Sequence, residues 1–372
     1  MRNSILLSML SYLAFCCMLF QCKESKSLVL VKPEDPALHY SGRVHPDETQ
    51  NMELISSASS VSFGFFGDSV CLLLKNVAST DEYNYVTVVI DQQVLGRFRI
   101  KGREVVPLGF RLDSRKRHQL QCVKATEAIN GRIVVCGVEA TKISSTPEIS
   151  RQQILFIGNS ITCGMGADIT DIPCEAGKWY DQHDAYFAYG PRVARQLGAD
   201  YVLNSVSGIG IYRQWNTDGP AMPAVYDHLY FDTTSTETWD DHRVDPQIIS
   251  IALGTNDLSS GDGIHPRPEF DSTTFITSYV DFAHRLYRKY PEARFVLLSS
   301  PMESGAKARI LEECLTTIKQ KLDGSYPERF PVTTYFFTGV TDPAGCGGHP
   351  DDEDHAEMAK ELIPVFRKLL DH

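Results

Sequence analysis

The sequence lacks the glycine-flanked serine elbow of the α/β-hydrolases: Gly158-Asn-Ser160-Ile-Thr162 has no second glycine where G-x-S-x-G needs one. It also lacks the positive charge that would hold a phosphate backbone. Acidic side chains outnumber basic ones by 47 to 36, and such a surface repels nucleic acid, which is excluded as a partner. After residue 20 there is no second long apolar run, and so no apolar lid segment of the kind a lipid hydrolase uses. Internal repeats and low-complexity tracts are absent. Tryptophan is scarce, with three residues in 372.

The acid is unevenly placed. Residues 28–150 carry 14 basic and 14 acidic side chains, whereas 151–372 carry 19 basic and 32 acidic. A neutral, hydrated ligand suits the second half better than an anion. The first 22 residues stand apart: Arg2 precedes an apolar run from Ile5 to Phe20, too short to span a bilayer comfortably and right for a signal peptide. The run ends in Leu19-Phe-Gln-Cys22 and resembles a bacterial lipoprotein signal, with Cys22 the lipidated first mature residue. The expectation is an exported chain, periplasmic or held at the outer membrane by a lipid anchor.

Residues 28–145 read as an all-β domain. Val61–Phe66, Gly67-Asp68 and Val70–Leu74 have the form of a hairpin with a two-residue turn. Short strands follow at Tyr85–Ile90, Arg97–Ile100, His118–Val123 and Arg132–Cys136, with no helical period between them. This spacing predicts a β-sandwich of jelly-roll type, serving as a structural cap or a sugar-binding module. Thr146-Pro147-Glu148 marks a boundary, and residues 151–372 alternate strand with helix. Strands are expected at Ile154–Gly158, Tyr201–Ser205, Ile248–Leu253, Phe295–Ser299 and Val332–Phe337. Helices are expected at Ala185–Leu197, Thr274–Tyr290 and Lys307–Leu322. The fold class is therefore α/β, a three-layer α/β/α domain with a parallel five-stranded sheet, preceded by the jelly roll.

The polar residues of interest fall at the ends of these strands, the edge where open α/β sheets place their chemistry. Ser160 follows the first, Gly208 the second and Asn256 the third; His349 follows the last, ahead of a final helix. Each has a plain alternative: Ser160 or Asn159 caps a helix, Gly208 makes a turn, Asn256 caps, and His349 is structural. Together they compose a reaction. A serine hydroxyl needs a base, imidazole titrates in the useful range, and an oxyanion needs several donors. Backbone N–H groups of Ser160 and Gly208 and the Asn256 amide have the right chemistry.

Gly158-Asn-Ser160, Gly208, Gly254-Thr-Asn256-Asp257 and His349-Pro350 resemble, in order, the four blocks of the SGNH (GDSL-type) hydrolases. Phe156–Gly164, Ala185-Tyr-Phe-Ala-Tyr-Gly190, Ser207–Arg213 and the His349–His355 spacing are similar to carbohydrate esterase family 2, which also joins a jelly roll to the hydrolase. That resemblance implies O-deacetylation of acetylated plant polysaccharides such as xylan or glucomannan, often at the sugar 6-position. It implies Ser160 as nucleophile, His349 as base, and Ser160, Gly208 and Asn256 as oxyanion hole. Two departures stand out: Asn159 replaces the usual Asp, and Gly347-Gly348 precede His349 where relatives often carry an acid and an aromatic. The position three before His349, commonly Asp, is Cys346. The imidazole is then oriented by a backbone carbonyl or by Asp342, the carbonyl being the expected arrangement.

Trp179, Tyr180, Tyr212, Trp215 and Trp239 lie in loops where a sugar could stack or the ring could simply pack. Asp351–Asp354 has a composition that could chelate calcium, but acids opening a helix complement its dipole, so neither metal nor cofactor is expected. Seven cysteines follow Cys22, an odd number, and Cys163–Cys174 is the first candidate pair. Two other functions remain open: a lipid or thioester hydrolase on the same scaffold, and a carbohydrate-binding protein without activity.

Overall fold

The computed structural model describes residues 28–79, 81–113, 116–146, 152–340 and 342–371; the expected leader and Cys22 lie outside them. Strands β1 (Val29–Val31), β2 (His39–Ser41), β3 (Val44–Pro46), β4 (Met52–Leu54), β5 (Ser60–Val77), β6 (Tyr83–Ile90), β7 (Gln93–Lys101), β8 (Val105–Arg111), β9 (Arg117–Lys124) and β10 (Arg132–Ser144) build the first domain. All their pairings are antiparallel. They fold over a single core that includes Phe63, Phe65, Leu72, Val86, Leu120 and Val135.

The expected hairpin is absent. β5 is one strand of 18 residues: Ser60–Phe66 pairs with β9, Ser69–Lys75 pairs with β8, and β10 runs beside both stretches. Gly67, at φ +119°, sits where the partner changes, and the register with β10 slips between Phe66 and Val70. A bulge there bends a continuous strand from one layer into the next. Because β10 hydrogen-bonds both halves, the chain continues where a turn was expected.

The second domain contains β11 (Gln153–Gly158), α1 (Ser160–Cys163), α2 (Tyr189–Leu197), β12 (Asp200–Ser205), α3 (Met222–Val225), β13 (Ile248–Ala252), α4 (Thr255–Leu258), α5 (Ser272–Lys289), β14 (Arg294–Leu298), α6 (Gly305–Ser325), β15 (Thr333–Tyr335) and α7 (Asp352–Leu370). The sheet is parallel, in the order β12-β11-β13-β14-β15. Successive residues of β11 feed opposite layers, as strand geometry requires. Leu155 and Ile157 pack with Phe275, Phe282 and Leu315 of α5 and α6. Ile154 and Phe156 pack with Tyr189, Leu362 and Phe366 of α2 and α7. The expected helix from Ala185 begins only at Tyr189, because Asp184 and Ala185 are bonded to the β domain instead.

The domains meet through a buried polar seam. Tyr83 and Tyr85 donate to the two oxygens of Asp181 at 2.9 and 3.0 Å, and Thr87 donates to Asp184 at 2.8 Å. The Ala185 N–H donates to the Ala125 carbonyl at 3.0 Å. Arg43, fully buried, donates to the carbonyls of Tyr226 (2.8 Å) and His228 (2.5 Å) and lies between the rings of Phe231 and Trp239. Arg43→Ala strands those two carbonyls and opens a void. The expected outcome is a loss of about 3 kcal/mol or more of unfolding free energy in urea titration; a change below about 1 kcal/mol would show that the seam contributes little.

Candidate active site

β11 delivers the chain to the sheet edge and stops. Asn159 then takes the capping role, its side-chain oxygen accepting the Ile161 N–H at 3.1 Å. That leaves the hydroxyl of Ser160, the first residue of α1, uncommitted to the helix. It meets Nε2 of His349 at 2.7 Å. On the other side of the ring, Nδ1 lies 3.1 Å from the Cys346 carbonyl. A carbonyl only accepts, so Nδ1 carries the proton and Nε2 is left to accept from the serine. Gly347 and Gly348, at φ +62° and +72°, turn the chain back on itself so that the carbonyl reaches its own loop's histidine.

No described carboxylate bonds to that ring. Asp342 is exposed and is not brought to His349. Asp351 and Asp354 form a capping box at the start of α7, and Asp352 pairs with Arg192; these acids serve the helix. Burial lowers the His349 imidazole to about 4, with His183 nearby adding to the effect. The ring is therefore neutral at ordinary pH, the form a general base requires.

Gly208 and Asn256 follow β12 and β13, the strands on either side of β11, at the same edge of the sheet as Ser160. Gly208 has φ +77°, and a Cβ on it would come within 2.7 Å of Trp215 Cδ1; no other residue fits this turn. The Trp215 N–H donates to the Gly208 carbonyl at 2.9 Å. Asn256 donates one amide N–H to the Ile209 carbonyl at 2.7 Å, fixing the side chain between its own helix, α4, and the Gly208 loop. Asp257, next to it, accepts the backbone N–H groups of Ile211 and Tyr212 at 3.0 Å. Its carboxyl is nonetheless pushed up by burial, to about 6.

The aromatic candidates divide. Trp179 (47% exposed) and Trp215 (41% exposed) present their rings to solvent; Trp179 stands edge-on to His183 and Trp215 lies against Gly208. Tyr212 packs on Phe270 and Phe275, and its hydroxyl accepts from the Asp271 N–H. Tyr180 is buried in the domain seam. Trp239 is corrected outright: it is buried on Arg43, beside Gln153 and Asp200 at the amino-terminal ends of their strands, the edge opposite Ser160.

The disulfide is also corrected. Cys174 bonds to Cys346, while Cys163 is buried and free, 3.2 Å from the Ser205 hydroxyl. α1 buries Cys163 against Ser205 and Glu127. The bridge ties that loop to the residue whose carbonyl holds His349. One contributor had no signal in its own stretch of sequence: Glu127, in the loop after β9, is fully buried and accepts the Ser207 N–H at 2.7 Å.

Comparisons with known proteins agree with this architecture. Residues 40–147 match the carbohydrate esterase 2 N-terminal family model, and residues 156–361 match the GDSL-like lipase/acylhydrolase family model. The chain is 26% identical over 364 residues, covering 94% of this chain and 95% of the relative, to an acetylxylan esterase / glucomannan deacetylase of Cellvibrio japonicus. Among solved structures, a family two carbohydrate esterase from Cellvibrio japonicus superposes with a TM-score of 0.80 at 25% identity, covering 93% of this chain and 98% of that one. A family two carbohydrate esterase from Clostridium thermocellum in complex with cellohexaose shares the fold, with a TM-score of 0.79 at 24% identity over 90% of this chain and 99% of that one. The chain belongs to the GDSL-like lipase/acylhydrolase family and is a carboxylic ester hydrolase on the two-domain plan of the family 2 carbohydrate esterases.

Proposed function

We propose that this chain removes O-acetyl groups from polysaccharides of the xylan or glucomannan type. The observation that carries the reading is the contact of Ser160 Oγ with Nε2 of a neutral His349 at the sheet's active edge. Ser160 Oγ attacks the acetyl carbonyl as His349 Nε2 takes its proton, and the Nδ1–H bond to the Cys346 carbonyl keeps the ring in the required tautomer. The oxyanion is stabilised by the N–H groups of Ser160 and Gly208 and by the second amide N–H of Asn256. Collapse expels the sugar hydroxyl, which receives the proton from His349. Water then enters by the same route and releases acetate.

Three observations favour a sugar ester over a lipid. The relative's name specifies acetylated xylan and glucomannan, the exposed rings beside the site are Trp179 and Trp215, and the catalytic half is acidic. We further propose that a leader ending at Cys22, with Cys22 as a lipid anchor, carries the chain to an oxidising compartment; the Cys174–Cys346 bridge supports the compartment.

Acetate release from acetylated xylan and glucomannan, set against a long-chain 4-nitrophenyl ester, tests the substrate class. Faster turnover of the long-chain ester would overturn the carbohydrate reading, and no turnover of any ester would favour a binding protein. Ser160→Ala should reduce acetate release by several powers of ten while the fold is kept; residual activity above about one part in a hundred is incompatible with covalent catalysis by this residue. Asn256→Ala should lower kcat by roughly a hundredfold to a thousandfold and leave KM nearly unchanged. Since burial lowers His349 to about 4, its neutral form persists until the pH falls through that value. The acid limb of kcat/KM should then lie near pH 4, and a limb near the ordinary imidazole value of about 6.5 would mean the ring is better solvated than this.

A further inference from the structure

A carboxylate from the β domain lies underneath the esterase site. Glu127 has no exposed surface, and four donors converge on its two oxygens: the Ser207 N–H at 2.7 Å, the Ser207 hydroxyl, the His183 ring at 3.1 Å and the Cys163 thiol at 3.6 Å. Its own loop is fixed from within the β domain. Lys124, also fully buried, donates to the carbonyls of Glu127 (2.7 Å) and Thr126 (2.9 Å). Burial pushes the Glu127 carboxyl up, but the hydrogen bonds from His183 and Ser207 more than offset this and hold it below the usual carboxylate range. It is a fixed, ionised acceptor.

The partners are the informative part. Ser207 immediately precedes Gly208, and Glu127 grips it by backbone and side chain together. Gly208 is held from beyond by the Trp215 N–H on its carbonyl. The peptide that carries the Gly208 N–H is therefore clamped between two anchors, one in each domain. Cys163 belongs to α1, the helix that opens with Ser160. One carboxylate thus touches both segments that carry backbone donors for the oxyanion, and fixes their separation.

We infer that Glu127 is a positioning residue for deacetylation: acting through Ser207, it aims the Gly208 N–H at the oxyanion and sets its distance from Ser160. The inference rests on the esterase reading above. It makes the β domain part of the catalytic apparatus as well as a cap. A glutamine at this position keeps the shape but turns an NH2 group toward donors, losing acceptors that the carboxylate supplies.

The full-length enzyme tests it, with kcat and KM for an acetyl ester, the thermal midpoint, and affinity for phenylboronic acid. That probe adds Ser160 Oγ to boron and passes the hydroxyl proton to His349, leaving a tetrahedral anion whose hydroxyl oxygen occupies the oxyanion position. For Glu127→Gln the expected result is a kcat lowered roughly tenfold to a hundredfold with KM within about twofold, and a parallel loss of boronate affinity. A lower thermal midpoint with unchanged kcat and boronate affinity would leave Glu127 a mere pin between domains and overturn the inference. If Glu127→Gln does not fold, Ser207→Ala carries the test, since it removes only the hydroxyl arm. A loss of kcat of at least about fivefold at constant KM and thermal midpoint supports the role, and unchanged kcat overturns it. Ser160→Ala separates the two levels. Activity surviving in that variant refutes the esterase reading itself, whereas an inactive Ser160→Ala beside a fully active Glu127→Gln refutes only the role of Glu127.

Discussion

Buried polar groups must find partners, and at this domain boundary the partners lie on opposite sides. Asp181 takes its hydrogen bonds from Tyr83 and Tyr85, Asp184 from Thr87, and Arg43 gives its own to Tyr226 and His228. Sliding the domains out of register while they stay in contact would leave these groups buried without partners, at a cost of order 1–3 kcal/mol apiece. The seam therefore holds one docking geometry. The segment from Asp168 to Ala185 is tied into it at both ends, with Arg97 reaching Asp168 and the His183 carbonyl. Parts of the active edge are thereby placed by a domain that contains neither the serine nor the histidine.

The base illustrates how backbone can take over a side chain's role. A carboxylate beside imidazole both fixes the tautomer and stabilises the charged ring. The Cys346 carbonyl does the first and supplies only a dipole for the second. With the ring largely desolvated and no carboxylate among the described residues bonded to it, the neutral form is favoured. The arrangement depends on a loop tight enough to fold a carbonyl onto a ring three residues later, and two consecutive left-handed glycines provide it.

Much of the site was legible because its signals are local. Four apolar residues running into Gly158, and similar endings before Gly208 and Asn256, mark strand ends from sequence alone, and a parallel sheet then brings those ends to one edge. What was not legible depended on long-range pairing. Gly67-Asp68 reads as a turn unless one knows that β10 lies beside both halves of β5. Ala185–Ala188 reads as helix, but backbone bonding to Ala125 holds Ala185 outside it. Trp239 resembles an exposed loop aromatic until Arg43, nearly two hundred residues earlier, is found against it. Glu127 sits in an all-β stretch whose register reveals nothing about the loop it meets.

The bridge between Cys174 and Cys346 has a consequence for biosynthesis. Its two thiols are 172 residues apart, so the first emerges from the ribosome or translocon long before the second. Cys163, only eleven residues from Cys174, is present from the outset. In an open chain the shorter ring closes with an advantage of roughly 2 kcal/mol in loop entropy, although the finished fold buries Cys163 against Ser205 and Glu127. Under oxidising conditions the early product would be the wrong pairing, and reaching the native one would require exchange through a mixed disulfide. Maturation of this chain should therefore depend on a thiol-disulfide isomerase, or on Cys163 being sequestered in the core before oxidation begins.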